Sequence, residues 1–483
     1  MSGRACDGPS LIDEISTREE LSLTGVRPNQ TVEWHTQRLL ASIGVPSTGA
    51  KLTFLGSEVN VGSVHRNECA VSAAIGAQAV AAAHLWHLRT GGAQDVVIDR
   101  RKAVASLLSG QNQWIDGHDM SVSRAAEAPV SALFQTRDER WIYLVGLYPA
   151  LRDGLLKLLD CPNDRVEIAA AVRKWNSFEL EELIGALNLV GAVVRTRDEW
   201  RAHEQGVELS QSPLIEIRQV GDGPRIPLQP ADRPLSEIRV IDFTHVLAGP
   251  TLTRTLAEHG ADVLRLSSPR FPDPDELLLD TAWGKRGAYL DLDLAGNAEK
   301  LQTLLAEADV FVQSWSPRSM KRRGLTADEL CARHPGLIYV HVNAFGFTGP
   351  WAERKGFEQL AQSVTGMAAD EGGGGAPRLS ATTPLADVLA AYLGAAGTMA
   401  ALKRRSEAGG SWEVRVSLTG AIMWLQDLGH SGHSGGTPPT PEPVERPTPF
   451  GRLRHAGPVA HFSKTPADWT LPPCPPGAYP AQW

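Results

Sequence analysis

The chain of 483 residues is long enough for one large domain or two to three smaller ones. Hydrophobic residues make up 42% of it and charged residues 21%, a composition typical of a soluble globular protein. The formal net charge is -8 and no basic run occurs, so nucleic acid is not expected as a partner. The five cysteines are scattered, without metal-ligand or redox-motif spacing, which favours a reducing, cytoplasmic compartment.

Neither of two candidate segments predicts a targeting or membrane element. The first residues, "MSGRACDGPSLIDEIS", lack the apolar core of a signal peptide. The most apolar window covers residues 69–88 and is rich in alanine, which contributes little to membrane insertion. We therefore predict a buried helix there and no membrane association.

From residue 238 the sequence alternates between strand and helix patterns. "IRVIDFT", "ADVLRL", "GAYLDLDL", "DVFVQSW" and "LIYVHVNAF" are short β-branched runs, and helical text such as "GPTLTRTLAEHG", "NAEKLQTLLAEA" and "LTADELCARHP" lies between them. In the last of these helices, Thr326 followed by Glu329 predicts a capping box. The alternation predicts an α/β fold with an open, Rossmann-like parallel sheet, which binds ligands at the carboxyl ends of its strands.

A long helix with a single acid follows this region. "TPLADVLAAYLGAAGTMAAL", residues 383–402, is apolar almost all the way round, with Asp387 near its start. Residues 69–108 match the chain from residue 387 onward without a gap, so that Gly76 falls on Gly394 and both copies carry a Gly-Gly turn. Asp387 falls on Cys69 in this register. We interpret residues 69–108 as part of an internal repeat in which only the second copy has the acid.

A lone carboxylate at a cleft can act as a base, a metal ligand or a nucleophile. No cluster of metal-ligating residues surrounds Asp387 in the sequence, and His430 and His433 in "GHSGHSGG" favour a linker, so we expect no metal. A weak carboxylate nucleophile needs an activated acyl donor, and a thioester meets that need. Asp387 is therefore a candidate nucleophile towards a thioester.

Seven motifs occur in an order that matches a known family. They are "RVIDFTHVLAGP", "WGKRGAYLDLD", "ADVFVQSWSP", "HPGLIYVHVNAFGFTGP", "KGFEQLAQSVTGM", "PLADVLAAYLGAAGTMAAL" and "GGSWEVRVSLTGAI". Together, over residues 235–428, they resemble class III CoA-transferases, the family that includes formyl-CoA transferase and the CaiB/BaiF proteins. "FQTRDERWIYLVG", a predicted hairpin, and "RTRDEWRAHEQG" resemble the family's small domain, and "TPFGRLRHAGPVAHFSKTP" resembles its C-terminal return segment.

The resemblance implies a domain division in which the small domain precedes the large one, unlike the family's usual order. We expect a smaller α+β domain beside the sheet. The predicted parts are an N-terminal segment (1–55), a partial degenerate copy of the family fold (56–225) with a small-domain-like region (130–218), a linker (226–235), a CoA-binding catalytic large domain (236–430), and a Pro-rich linker with the return segment (431–483).

The resemblance also implies roles for individual residues. Asp387 stands where the family has its catalytic aspartate, and Glu358 where some members have a glutamate near the site. Leu247 replaces a glutamine that some transferases use. Phe357 stands where the family's racemases have a proton-carrying histidine, which disfavours a racemase. The residues implied to contact coenzyme A are Val246, Leu247, Ala248, Lys285, Trp315, Arg322 and Lys355.

We therefore expect an acyl-CoA:carboxylate CoA-transferase that works through an aspartyl acyl-anhydride and an aspartyl-CoA thioester. Its substrates would be an acyl-CoA and a small carboxylic acid, and we expect a homodimer. Two alternatives remain open: an acyl-CoA isomerase, racemase or lyase of the same family, and a CoA-binding protein without turnover.

Overall fold

The computed structural model describes residues 31–48, 50–120, 129–432 and 435–483. The predictions for the N-terminal "MSGRACDGPSLIDEIS" and for His433 lie outside these residues, as does Cys6. The first part of the chain, through residue 119, places helices against a small sheet. Its elements are α1 (Val32–Ile43), β1 (Ala50–Leu55), α2 (Asn67–Thr90), β2 (Gln94–Asp99), α3 (Arg100–Ala105), a 3₁₀ helix (Ser106–Gln111), β3 (Trp114–Ile115) and β4 (His118–Asp119).

A smaller α+β unit follows. In it the predicted hairpin forms an antiparallel pair of strands, and a third strand joins them. The elements of this region are β5 (Ala132–Gln135), β6 (Trp141–Leu144), α4 (Pro149–Leu159), α5 (Arg165–Val172), α6 (Ser177–Ala186), β7 (Gly191–Val193), α7 (Arg197–Ala202), α8 (Glu204–Gln211) and β8 (Glu216–Gly221).

The rest of the chain alternates strands and helices and then forms three short strands. These elements are β9 (Arg239–Phe243), α9 (Ala248–Glu258), β10 (Asp262–Ser267), α10 (Asp275–Thr281), β11 (Lys285–Tyr289), α11 (Asn297–Leu305), β12 (Val310–Gln313), α12 (Pro317–Arg322), α13 (Ala327–Arg333), β13 (Ile338–Asn343), α14 (Glu358–Val364), α15 (Met367–Gly372), α16 (Leu385–Ala408), β14 (Ser411–Ser417), α17 (Leu418–Asp427), β15 (Pro443–Thr448), β16 (Gly451–Ala456) and β17 (Ala460–Phe462).

The main sheet confirms the predicted α/β fold. Its seven strands run in the order β11-β10-β9-β12-β13-β14-β8, and all neighbouring pairs are parallel except β14 with β8. The capping box at Thr326 and Glu329 is also present. The strand predicted from "GAYLDLDL" is wrong in its bounds, since β11 starts at Lys285 and ends at Tyr289. It ends at Tyr289 because its strand partner, β10, ends at Ser267, the residue that pairs with Tyr289.

The two long apolar helices, α2 and α16, have the same length and pack against each other. Each has 24 residues and is followed by a glycine. In the ungapped register of the proposed repeat, their first residues, Asn67 and Leu385, coincide, and Cys69 and Asp387 are both the third helical residue. Each helix is long and apolar enough to cross a membrane, but 94% of its most apolar window is buried inside the protein.

Strands cross the predicted domain boundaries. β8, from the end of the predicted first copy (56–225), forms the edge of the main sheet by pairing antiparallel with β14. β17, from the return segment, pairs antiparallel with β2, which also pairs in parallel with β1. The two halves of the chain thus exchange edge strands. The end of α2 also binds the predicted linker, because the Arg89 guanidinium donates to the carbonyls of Gln229, Pro234 and Ser236 at 2.6–2.9 Å.

Glycines let α16 approach its neighbours closely. A Cβ on Gly394 would lie 2.5 Å from Leu252 of α9, and one on Gly397 would lie 2.7 Å from Ile215 and 2.8 Å from Val414 of β14. A side chain at either position would force these neighbours to shift, so both glycines permit the close packing. The start of α16 is therefore held in place relative to the sheet.

Buried titratable groups lie where α9 meets α2. Burial raises the pKa of Glu258 to about 8, although Arg254 and Arg233 act in the opposite direction. Burial lowers the pKa of His259 to about 3. The neutral His259 ring donates from Nε2 to Gln78 Oε1 at 2.8 Å. The 3.5 Å approach of His259 to Glu258 is therefore a contact between two neutral groups rather than an ion pair at neutral pH.

Glu258 predicts a pH-dependent stability. In the folded protein it keeps its proton up to about pH 8, whereas the unfolded chain loses it near 4.5. The stabilisation from this proton is fully present below the lower value and is lost as pH rises through the upper one. Between these pH values, the free energy of unfolding of the wild type should fall relative to that of Glu258→Gln. Urea unfolding of both proteins at a series of pH values measures this difference in the free energy of unfolding.

The control for this measurement is Glu299→Gln, which changes an exposed glutamate on α11. Its stability should run parallel to that of the wild type across the same pH range. If the Glu258→Gln curve also ran parallel to the wild type, Glu258 would not hold a proton at neutral pH.

Candidate active site

A cavity of about 250 Å³ opens at the carboxyl ends of strands β9, β12 and β13. This is the edge at which open parallel sheets bind their ligands. Its lining is mostly apolar and comes from both halves of the chain. The lining residues include Tyr148, Leu151, His245, Val246, Leu247, Ala248, Gly249, Phe271, Ser314, Trp315, Asn343, Arg354, Lys355, Phe357 and Asp387.

Asp387 lies in the first turn of α16 and lines this cavity. It is half-buried and is the third residue of the helix, so it is not the N-cap, which is Pro384. The segment before the helix is held from two sides: Gln362 Nε2 donates to Thr383 Oγ1, and Gln111 Nε2 donates to the Thr383 carbonyl, both at 2.9 Å. The backbone therefore presents this carboxylate at a fixed place in the cavity.

Glu358, predicted as a catalytic residue, lies behind the cavity rather than in its lining. It is the first residue of α14 and only 1% exposed. Its Oε1 accepts a 2.6 Å hydrogen bond from Gln362 Nε2, and the same amide group donates to Thr383. This arrangement lets Glu358 orient the side chain that holds the start of α16, which is a positioning role.

The loop after β9 carries backbone strain at the cavity wall. Val246 has a φ of 64°, a left-handed conformation that a β-branched residue rarely adopts. Its N–H donates to Asp273 Oδ1 at 2.9 Å, and the same carboxylate pairs with Arg265 and accepts a 3.0 Å hydrogen bond from Tyr148 Oη. Asp273 therefore holds the loop and the first half of the chain together at the cavity.

An aromatic stack forms the next part of the wall. Trp315 lies against the His245 ring, with centroids 4.4 Å apart and planes 22° from parallel, and meets Phe271 edge-on. His245 Nδ1 lies 3.1 Å from Ser314 Oγ. Burial lowers the pKa of His245, with Asp273 opposing this effect, so the ring is neutral at neutral pH. The stack offers a flat apolar face beside a titratable ring.

Two basic residues border the opening. Lys355 lines the cavity, and burial lowers the pKa of its ammonium group. Arg354 donates to Glu182 Oε1 of α6 at 2.7 Å and lies 4.2 Å from the centre of the Trp351 ring. Positive charge is therefore available near the cavity, and one of its carriers is anchored to the first half of the chain.

Two residues predicted to contact coenzyme A do not line the cavity. Lys285 is 1% exposed, and its ammonium donates to Asp242 Oδ2 at 2.8 Å and to the Pro250 carbonyl at 2.7 Å. Burial alone would raise the pKa of Asp242, but Lys285 and Arg265 hold it below its usual range. Lys285 is thus the buried counter-ion of Asp242 in this structure, and its contact with coenzyme A stays a prediction. Arg322 is exposed at the last turn of α12, whereas the Ser316 and Pro317 end of this segment borders the cavity.

The structure adds lining residues that the sequence reasoning missed. His245 follows the predicted strand "IRVIDFT" and Asn343 lies near the end of the predicted strand "LIYVHVNAF", so the rule that ligands bind at strand ends would have found them. Tyr148 and Leu151 lie at the start of α4, about ninety residues before β9 in the sequence. No local pattern connects them to the cavity, because only the packing of the two halves brings them there.

Comparison with known proteins points to one family. Residues 235–449 match the family model described as CoA-transferase family III. Acetyl-coenzyme A transferase nodX of Hypoxylon pulicicidum is 34% identical over 326 residues, which cover 62% of this chain and 54% of that protein. The succinyl-CoA–L-malate CoA-transferase alpha subunit of Chloroflexus aurantiacus is 33% identical over 208 residues, 40% of this chain and 49% of that protein.

A solved structure of a CAIB/BAIF family protein from Brucella suis is 26% identical, with a TM-score of 0.36, over 41% of this chain and 56% of that one. The chain spans about half the length of the curated relatives it matches. Over residues 235–449, the chain is therefore similar to CoA-transferase family III.

Proposed function

We propose that this protein is an acyl-CoA:carboxylate CoA-transferase in which the Asp387 carboxylate accepts the acyl group. One observation carries the proposal. Within the region that matches the family, Asp387 shares a single cavity with Val246, Leu247, Ala248, Trp315 and Lys355. These are the carboxylate and most of the CoA contacts that the resemblance implies.

The proposed reaction balances without a cofactor that changes oxidation state. The Asp387 carboxylate attacks the thioester carbonyl of the donor, forming a mixed anhydride and releasing the CoA thiolate. The thiolate then attacks the aspartyl carbonyl, giving an aspartyl-CoA thioester and the free donor acid. The acceptor carboxylate attacks this thioester, and the thiolate released attacks the acceptor side of the new anhydride. The products are a new acyl-CoA and regenerated Asp387.

The cavity has groups suited to each part of coenzyme A. The strained loop at Val246 leads into α9, whose first turn has backbone N–H groups available to an anion or oxyanion. Trp315 offers a face on which the adenine ring can stack. Lys355 supplies positive charge for a phosphate, and its lowered pKa comes from burial that binding an anion would offset.

The first half of the chain contributes to the wall of the proposed acyl site. Leu151 is buried and Tyr148 half-buried, and both line the cavity. Because these residues come from the region that precedes the catalytic sheet, we infer that this half limits which acyl group fits, in addition to its structural role.

Isomerisation at the α-carbon is a second candidate, favoured by one observation. The His245 ring, which can carry a proton, lines the same cavity as Asp387. It can take the place of the racemase histidine, since Phe357, which stands at that position, cannot carry a proton. Incubating the protein with an acyl-CoA in deuterated water separates the two reactions. Transfer leaves the α-proton in place, whereas isomerisation replaces it with deuterium.

Asp387→Asn should abolish transfer while leaving the fold intact. The amide cannot act as the nucleophile, so kcat should fall at least roughly thousandfold. With a panel of acyl-CoA donors, hydroxylamine added during turnover should convert Asp387 of the wild type to its hydroxamate. Mass spectrometry of the peptide that contains residue 387 detects this label, and labelled-CoA exchange between acids measures the rate.

The matched control is Asp328→Asn, which changes an exposed aspartate in the first turn of α13. It should keep full activity and leave the Asp387 label unchanged. Full activity of Asp387→Asn would overturn the proposal. CoA binding without any exchange in the wild type would instead indicate a binding protein without turnover.

Tyr148→Phe tests the contribution of the first half to substrate binding. The change keeps the ring but removes the hydrogen bond to Asp273, which holds the Val246 loop. We expect KM for the acyl-CoA to rise several-fold with a smaller change in kcat, and stability to fall by about 1 kcal/mol. Steady-state kinetics and urea unfolding measure both. Tyr289→Phe, at an exposed tyrosine of β11, should change neither. An unchanged KM in Tyr148→Phe would show that the loop does not depend on this contact.

A further inference from the structure

A group of metal-ligating side chains lies where three segments of the chain meet, away from the cavity. His65 precedes α2, Asp370 is in α15 and His430 follows α17. One ligand atom from each lies within 4.8 Å of the other two. None of these three described residues lines the active-site cavity. The group therefore has no part in the proposed transfer reaction.

The buried His65 ring makes no hydrogen bond to the described residues. Its side chain is 1% exposed, and neither Nδ1 nor Nε2 has a hydrogen-bond partner among the described residues. A buried polar side chain without such a partner is unusual and costs free energy. Its nearest charged neighbour is Asp370, whose Oδ2 lies 3.3 Å from Nε2. A cation between them would satisfy the imidazole and the carboxylate together.

The backbone places these side chains together through bonds that do not involve their own ligand atoms. The Ser431 N–H donates to the Val64 carbonyl and its hydroxyl donates to the Ser63 carbonyl, both at 2.9 Å, while residues 65 and 430 form an isolated antiparallel bridge. On the other side, the Ser63 hydroxyl donates to Glu371, the buried neighbour of Asp370. The three segments are therefore held in place before any ion binds.

We propose that His65, Asp370 and His430 bind one divalent transition-metal cation, with zinc as the best match. Two imidazoles and one carboxylate are typical zinc ligands. Two such ligands, each about 2.0–2.1 Å from a tetrahedral zinc ion, would lie about 3.3 Å apart, which matches the separation of His65 and Asp370. His430 is exposed, so water can occupy the fourth position. The ion fastens the segment before α2 to two segments of the catalytic half.

The sequence predicts a linker at "GHSGHSGG", and the three ligands are far apart along the chain. Residues 65 and 370 are separated by a whole small domain and most of the sheet. Only the backbone pairing of residues 64 and 431 brings His430 to them. The ligand spacing therefore matches no local metal motif.

The test uses the full chain without an affinity tag, stripped by a chelator and titrated with Zn²⁺ by calorimetry. We expect about one Zn²⁺ per chain with a dissociation constant on the order of 1 µM or below. His65→Ala, Asp370→Asn and His430→Ala should each weaken binding by roughly tenfold or more. Co²⁺ should give the visible bands of a tetrahedral site in the wild type and lose them in each variant.

The control variant is His461→Ala, which removes an exposed histidine on β17 and should bind Zn²⁺ like the wild type. Circular dichroism confirms that each variant is folded, and Asp370→Asn keeps the size of the side chain. If the three variants titrate like the wild type, or the wild type binds no Zn²⁺, the group is only a contact between histidine and carboxylate side chains and the proposal is overturned. Neither readout depends on transferase activity, so failure here leaves the proposed function untouched.

Discussion

Helices α2 and α16 lie side by side at the centre of the molecule, and both consist largely of alanine and other small residues. Small side chains let two helix backbones approach closely, but any enlargement then forces a neighbour to move. Because α16 also presses on α9 and β14 through Gly394 and Gly397, its position is set from several sides. The place of Asp387 at its first turn follows from this packing, and so does the approach of the first half of the chain to the cavity.

Buried charged side chains likewise fix the position of the backbone near the carboxyl end of strand β9. The Asp242–Lys285 pair is fully buried, and the threonine hydroxyls of residues 244 and 253 complete the set of bonds to the carboxylate. A buried pair of this kind adds little net stability, yet removing one partner is costly, so it fixes geometry more than it adds free energy. Asp273, at the cavity wall, also fixes geometry. It accepts a hydrogen bond from the Val246 N–H and thereby holds Val246 in a strained conformation. With the Asp242–Lys285 pair on one side and Asp273 on the other, the loop after β9 keeps a backbone conformation that its own sequence disfavours.

The sequence predicted the parts of the fold that local patterns determine. The alternation of strands and helices, the capping box at Thr326 and the long helix that carries Asp387 all follow from periodicity and cap residues over a few turns. Lys285 was assigned to the ligand because it stands at a strand in a matching motif, whereas the structure buries its ammonium group against Asp242. Tyr148 was missed because it reaches the cavity only through the packing of the two halves. Patterns of single elements carry no information about such long-range contacts.

The two halves share an order of helix, glycine turn, strand and helix, and they exchange their edge strands, β8 and β17. Separating them would leave β14 and β2 with unpaired edges, so each half depends on the other for a complete sheet. The chemistry, however, is not shared equally. Cys69, at the helix position that corresponds to Asp387, is fully buried, and burial raises the pKa of its thiol to about 12. A thiol in that state is no nucleophile at neutral pH. Cys69 is therefore no counterpart of the Asp387 carboxylate, and the first half of the chain contributes Tyr148 and Leu151 to the wall of the cavity.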